Sequence, residues 1–184
     1  MTTSLQAVQH IRRMRGGAQS HLMRGSDNGY WIVKFTNNPQ SVRVLANEFL
    51  ATRIGTFLGL SMPQVAAIEV SEWLITHTPE LRFESAGMSI PCRSGVQLAS
   101  RYVTDPEQGI VFDYLPESLS ERIINIEEFP RCLVLDKWTA NADGRQAVFS
   151  RASRYVGYKA HLCCDFIYVM VGPSCGSGCG FGCN

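Results

Sequence analysis

Ser26-Asp27-Asn28-Gly29-Tyr30-Trp31-Ile32-Val33-Lys34-Phe35 is the stretch on which the fold turns. Asn-Gly ahead of a β-branched and aromatic run is a hairpin signal, because asparagine and glycine tolerate the positive φ that both turn positions of such a hairpin take up. Upstream, Gln9 to Met14 and Ala18 to Arg24 flank Gly16 and Gly17. Three antiparallel strands are therefore predicted, the first two joined by a glycine turn. The two-residue period of the third strand sets Trp31, Val33 and Phe35 on one face and Tyr30, Ile32 and Lys34 on the other.

Working outward, Asn38 is predicted to cap a helix with Pro39 in its first turn, where the missing N–H has no intrahelical partner to lose. The helix is expected to run to about Leu58, with Gly59 past its end. Leu45, Phe49, Leu50, Ile54, Phe57 and Leu58 form its predicted apolar face, while Glu48 lies in line with Val44, Ala51 and Gly55, a row of small residues that permits close approach to a sheet. Gln64 to Val70 reads as a strand, Ser71 to Thr76 as a short helix capped by Ser71, and Gly95 to Val103 as another strand. Glu127-Glu128 opens a helix with Phe129, Cys132, Leu133, Leu135 and Trp138 at its apolar positions, ending near Ala142. Gln146 to Arg151 and Tyr155 to Leu162 then read as a hairpin.

The chain has 184 residues, 45% hydrophobic and 18% charged, with 17 basic against 16 acidic side chains. That balance excludes a disordered tail and a strongly charge-driven nucleic-acid binder. Residues 1 to 34 carry +4, since Arg12, Arg13, Arg15, Arg24 and Lys34 face Asp27 alone; this suits nucleotide phosphates and equally a solvated face. The apolar run Leu162 to Val171 is too short for a bilayer, which needs about 20 residues. The start, Met1 to Arg15, lacks the apolar core of a signal peptide. A cytoplasmic location without a membrane partner is the expectation. Cys163, Cys164, Cys175, Cys179 and Cys183 fall in the last 22 residues. In a cytoplasmic protein such a cluster points to metal or redox chemistry before disulfides. A truncated or out-of-frame tail from about residue 160 is the competing account. His10, His21, His77 and His161 lack metal-ligand spacing and read as surface or satisfied partly buried groups; Trp31, Trp73 and Trp138 read as core.

The order of chemistry-bearing residues carries more than any one of them. A glycine turn at Gly16-Gly17 lets backbone N–H groups approach phosphate oxygens, a strand lysine at Lys34 pairs with those phosphates, and a helix glutamate at Glu48 holds the lysine. Taken singly, these are a plain turn, a solvated lysine and a surface carboxylate. Downstream, Asp143 follows the third predicted helix and Asp165 lies beyond the return strand of the hairpin. Two carboxylates at its two ends can converge, one accepting a hydroxyl proton and the other holding a divalent metal against phosphate.

At Ile11-Arg12-Arg13-Met14-Arg15-Gly16-Gly17, Val33-Lys34-Phe35-Thr36-Asn37-Asn38-Pro39-Gln40, Asn47-Glu48, Val70-Ser71-Glu72-Trp73-Leu74-Ile75, Ser100-Arg101-Tyr102-Val103 and Leu135-Asp136-Lys137-Trp138 through Phe149, the chain resembles the HipA-like kinase domain family of bacteria. The resemblance covers about Ala7 to Phe149. It implies an α+β, two-lobed fold similar to protein kinases, with an antiparallel-sheet N-lobe over residues 1–103 and a truncated C-lobe over residues 104–184. It further implies ATP and magnesium as cofactors and transfer of the γ-phosphate to a hydroxyl-bearing acceptor, proteins included. Lys34 would contact ATP phosphates, Glu48 would pair with it, Gly16 and Gly17 would line the nucleotide, and Asp143 would be the catalytic-loop carboxylate. The pattern expects a metal-holding asparagine five residues after Asp143, where Val148 stands; Asn141 or Gln146 is then the substitute, with Asp165 as the other metal ligand. An inactive nucleotide- or protein-binding module is the alternative function. A metal module at Cys175, Cys179 and Cys183 is the weaker one.

Overall fold

The computed structural model describes residues 4–14, 18–85, 87–107, 109–112, 114–139, 146–151 and 157–163. Three antiparallel strands open the chain: β1 (Ala7–Arg13), β2 (His21–Gly25) and β3 (Tyr30–Lys34). The β2–β3 turn differs from expectation. Asn28 takes the left-handed conformation, φ 59°, but Gly29 does not. A Cβ at residue 29 would lie 2.2 Å from Cζ of Arg101, so a larger residue there requires that guanidinium, which donates to Asp27, to move aside.

Helix α1 spans Val42–Phe57. Its cap is Ser41, whose hydroxyl accepts from the Arg43 amide at 3.2 Å. Asn38 instead builds the preceding turn: its Oδ1 accepts from the Gln40 and Ser41 amides at 2.8 and 3.2 Å, and its Nδ2 donates to the Phe35 carbonyl at 2.7 Å. Gly59 sits past the helix end with φ 73°, as the sequence predicts. The predicted apolar face holds only at Leu45 and Ile54, the latter packing with Leu60, Cys132, Leu135 and Leu162. Leu45, Glu48, Ala51, Thr52 and Gly55 are buried, whereas Phe49, Leu50, Phe57 and Leu58 face solvent. The row of small residues around Glu48 is thus the inner face.

Strand β4 (Val65–Val70), helix α2 (Glu72–His77) and the hairpin β5 (Arg82–Ser85) and β6 (Met88–Pro91) precede β7 (Gly95–Arg101). Ser71 caps α2, its hydroxyl accepting from the Leu74 amide at 3.2 Å. The main sheet has the order β1-β2-β3-β7-β4, all neighbours antiparallel. Its two edges meet at one point, where Gln6 bridges Glu69 and the Glu69 amide donates to the Leu5 carbonyl at 2.9 Å. The sheet is therefore rolled towards a ring. Met23, Trp31, Val33, Phe35, Ile68, Val70 and Ala99 line its apolar face, closed over by Leu74 of α2 and by Leu81, Phe83 and Cys92 in and beside the β5–β6 hairpin.

The second part contains β8 (Val111–Phe112), a 3-10 turn (Glu117–Arg122), helix α3 (Glu128–Trp138), and the antiparallel strands β9 (Gln146–Arg151) and β10 (Tyr158–Cys163). Cys132 and Leu135 of α3 pack on Leu162 of β10, together with Leu60, Ile54 and Met62 from the end of α1 and the segment after it. Ser61 ties these pieces together. Its amide and hydroxyl donate to the Glu128 carboxylate at 2.5 and 2.8 Å, and its carbonyl accepts from the Leu162 amide at 3.0 Å. Leu133 and Trp138, expected on the inner face of α3, are exposed, and so is Trp73 of α2, which stacks on His77 with ring centroids 4.4 Å apart. Only Trp31 of the three tryptophans is core. Thr139 caps the end of α3; the expected helix end at Ala142 lies outside the described residues. No helix among the described residues is long and apolar enough to cross a membrane.

Candidate functional site

Alternation on β3 sends Trp31, Val33 and Phe35 into the apolar core and leaves Lys34 on the opposite face, under α1. There it meets Glu48. The Lys34 ammonium donates to Glu48 Oε2 at 2.7 Å, and the two residues are only 8% and 5% exposed. Burying two charges costs several kcal/mol per ion unless they are paired at short range, so the pair is bound to its geometry. One and two turns further along the same face, Ala51 and Gly55 lie against Met62, so small residues flank Glu48 on the inner side of α1.

One contact had no forecast in the sequence. Ser100, on the neighbouring strand β7, donates to the other oxygen of the same carboxylate, Glu48 Oε1, at 3.4 Å. Its signal was the register. Ile32 pairs with Ser100 and Lys34 with Leu98, so Ser100 shares the face of Lys34.

At the far end of β3 an open cavity of about 500 Å³ is lined by Tyr30, Met62, Gln64, the segment Arg101 to Asp105, and His161 of β10, among others. The turn beside it is held rigidly by Asp27, which accepts from the Gly29 amide at 2.9 Å, from the Trp31 indole at 3.1 Å and from Arg101 at 2.5 Å. Burial alone would raise the Asp27 carboxyl; the Trp31, Gly29 and Arg101 contacts outweigh it and hold its pKa below the ordinary value. His161 has the opposite character. Burial, with Lys159 nearby, pushes its pKa down to about 4, and its Nε2 lies 2.9 Å from the Ser150 hydroxyl. The imidazole facing this cavity is therefore neutral at physiological pH.

Of the residues expected at the site, the structure brings together Lys34 and Glu48. Gly16, Gly17, Asn141, Asp143 and Asp165 lie outside the described residues, as do Cys175, Cys179 and Cys183. Val148, where an asparagine was expected, sits in β9 opposite His161. Among the described residues no group of three or more His, Cys, Asp or Glu is arranged to hold a metal. His21 is wholly buried rather than partly so; its Nδ1 lies 3.1 Å from His10 Nε2 and its Nε2 3.9 Å from the Cys92 sulfur.

A strand lysine clamped by a helix glutamate beneath an antiparallel sheet is the arrangement that positions nucleotide phosphates in kinase folds. The five-stranded sheet with α1 inserted after its third strand is consistent with the upper lobe of such a fold. The family model for HipA-like kinases matches residues 7–151. The chain belongs to the HipA-like kinase family. No curated protein and no solved structure matches it.

Proposed function

We propose that the chain is an ATP-dependent phosphotransferase in which residues 1–103 form the upper lobe and residues 104–184 a partial lower lobe. The buried Lys34–Glu48 pair carries this reading. A lysine has no reason to be held at 2.7 Å from a carboxylate under a sheet for stability alone, since an apolar pair of the same volume serves as well or better. The cavity agrees with a nucleotide. Tyr30 on its wall and Lys34 lie on one face of one strand, four residues and so about 13 Å apart, which sets a base-sized space beside the strand start and a cation where polyphosphate would reach.

In this reading Lys34 holds the phosphates and Glu48 holds Lys34. The bond from the γ-phosphorus to the ADP oxygen breaks, a bond to the acceptor hydroxyl oxygen forms, and Asp143 takes the hydroxyl proton. Gly16 and Gly17 are the proposed backbone cradle. Asp165 and Asn141 are the proposed magnesium ligands; magnesium, when bound, would neutralise charge on the phosphates. The acceptor is a hydroxyl-bearing molecule, proteins included, and the proposed compartment is the cytoplasm.

Val148 supports a second reading, a module that binds nucleotide or protein without transferring phosphate. Its side chain offers no metal ligand at the position where one was expected, and it belongs to a regular strand. One experiment separates the two. Calorimetric titration with Mg-ATP is expected to show binding that Lys34→Met weakens by about 1–3 kcal/mol, the range for a charge-assisted contact. Asp143→Asn is expected to lower phosphotransfer by about 10²- to 10⁴-fold with affinity nearly unchanged. Equal affinity of wild type and Lys34→Met would remove Lys34 from the site. Binding without any turnover would establish the second reading.

A further inference from the structure

We propose that the outward face of α1 docks an acidic amphipathic helix of a partner protein, with Arg53 at the centre of the contact. Burial divides α1 into two sides. Leu45, Glu48, Ala51, Thr52 and Gly55 face the fold, and the other side carries Val42, Phe49, Leu50 and Phe57, which are 56%, 39%, 57% and 89% exposed. Single exposed apolar residues are ordinary, but these recur seven and eight residues apart, which is two turns, and so make a stripe along a helix of about 24 Å. Arg53 is exposed within that stripe, four residues from Phe49 and Phe57 and three from Leu50. Among the described residues no hydrogen bond or ion pair holds its guanidinium. Ala46, exposed between Val42 and Leu50, leaves a dip where a second helix can come close.

Charge selects the occupant. Glu48 is the only acidic residue of α1 and it is buried, so the exposed charges of the helix are Arg43 and Arg53. The same sign continues on α3, where Glu128 is buried against Ser61, Asp136 is half-buried, and exposed Arg131 donates to the Leu58 carbonyl at the end of α1. A guanidinium taken from water into an apolar contact needs an opposite charge at short range, and a carboxylate meets its planar fork with two hydrogen bonds. Arginine framed by aromatic side chains is also the composition met at the centre of protein interfaces. A second copy of the chain would bring only more cations from the same face. A bilayer is disfavoured too, because Arg53 lies on the line of the stripe that would sink deepest and hydrocarbon excludes a guanidinium. A helix laid along α1 matches the stripe over its whole length, with apolar residues three and four apart and an aspartate or glutamate opposite Arg53.

Peptide selection against the full chain tests this. The probe is a phage-displayed library of helical peptides randomised along one face. Peptides enriched on the wild type are expected to carry an aspartate or glutamate within an apolar stripe of three- and four-residue spacing. Selection on Arg53→Glu is expected to enrich lysine or arginine at that place instead. In fluorescence anisotropy the tightest acidic peptide is expected to lose about tenfold or more in affinity for Arg53→Glu, and likewise for Phe57→Ser and Leu50→Ser. Replacing its carboxylate by lysine is expected to restore binding to Arg53→Glu alone. Enrichment of nothing on the wild type, enriched peptides without acidic residues, or equal affinity for wild type and the three variants overturns the proposal. The other occupants have their own readouts. Flotation with vesicles of phosphatidylcholine and phosphatidylserine that Phe57→Ser abolishes would give the face to a membrane. A dimer in sedimentation equilibrium that Phe57→Ser dissociates would give it to a second copy, and either result overturns the acidic helix.

Discussion

At the scale of single residues, the Lys34–Glu48 pair and His21 make opposite demands on burial. The pair is charged and buried, so removing one member takes the short-range counter-charge from the other. Lys34→Met alone is expected to destabilise the chain by about 3–5 kcal/mol, and the double variant Lys34→Met/Glu48→Gln by clearly less, because neither then leaves an uncompensated charge. Urea unfolding of the three proteins measures this; equal losses in the single and double variants would show that the pair is not buried in solution. His21 is buried and neutral. Burial first, then the His10 and Arg13 neighbours, push its pKa to about 4, against about 6.5 in an unfolded chain. Between those values the unfolded chain binds the extra proton, so this contribution is whole above pH 6.5 and drains away as the pH falls towards 4. For a fully buried ring the loss amounts to about 3 kcal/mol. Melting temperature against pH is expected to fall across that window, and His21→Gln, which cannot titrate, to flatten the fall; an unaltered slope would mean that His21 carries none of it. Lys34 itself was legible because strand alternation places a lysine on a known face. Ser100, which donates to Glu48 Oε1, was not, since a serine in a strand announces nothing until the neighbouring strand supplies the register.

At the scale of elements, local chemistry was readable where it is local. The Ser71 cap and the break at Gly59 depend on backbone geometry within a few residues, and both stand as read. Gly59 takes φ 73° with no heavy atom nearer than 3.5 Å to an added Cβ, so Gly59→Ala meets no clash and is expected to cost only the left-handed penalty, about 1–2 kcal/mol. Denaturation midpoints test that, and a loss near zero would show that the helix end rearranges. Hydrophobicity alone places only part of the α1 face: Leu45 and Ile54 turn inward as expected, whereas Phe49, Leu50, Phe57 and Leu58 are exposed and the inner side is shared by Glu48, which meets Lys34, and by Ala51 and Gly55, which meet Met62. Strands β5 and β6 were missed for another reason. Phe83 alternates with exposed Arg82 and Glu84, but each strand has four residues and Pro91 closes the second, so the period-two signal is brief. Strand β8, with two residues, has no periodicity at all. Asn38 ahead of Pro39 has the chemistry of a cap, and its side chain does accept backbone amides, but they are those of the turn before the helix.

At the scale of the whole molecule, the glycine- and cysteine-rich tail is the clearest compositional break in the sequence. Among the described residues the packed cores reach as far as Leu162. The four-residue spacing of Cys175, Cys179 and Cys183 is not a standard ligand run, so replacing them by serine is expected to leave the melting temperature unchanged with or without added zinc, whereas a structural metal would add about 10 kcal/mol or more to folding. A zinc-dependent loss on substitution would revive a metal role for the tail. The sheet order has a consequence for how the chain is made. Strand β7 lies between β3 and β4, and the Gln6–Glu69 bridge joins the two edges of the same sheet. During synthesis β1, β2 and β3 can pair as they emerge, but β4 has no place beside them until β7 has left the ribosome some 30 residues later. Ile68 and Val70 must wait in the interval, apolar and unpaired. A nascent chain whose emerged part ends between residues 70 and 95 would thus display the stickiest form of this protein, and that interval is where a chaperone has most to hold.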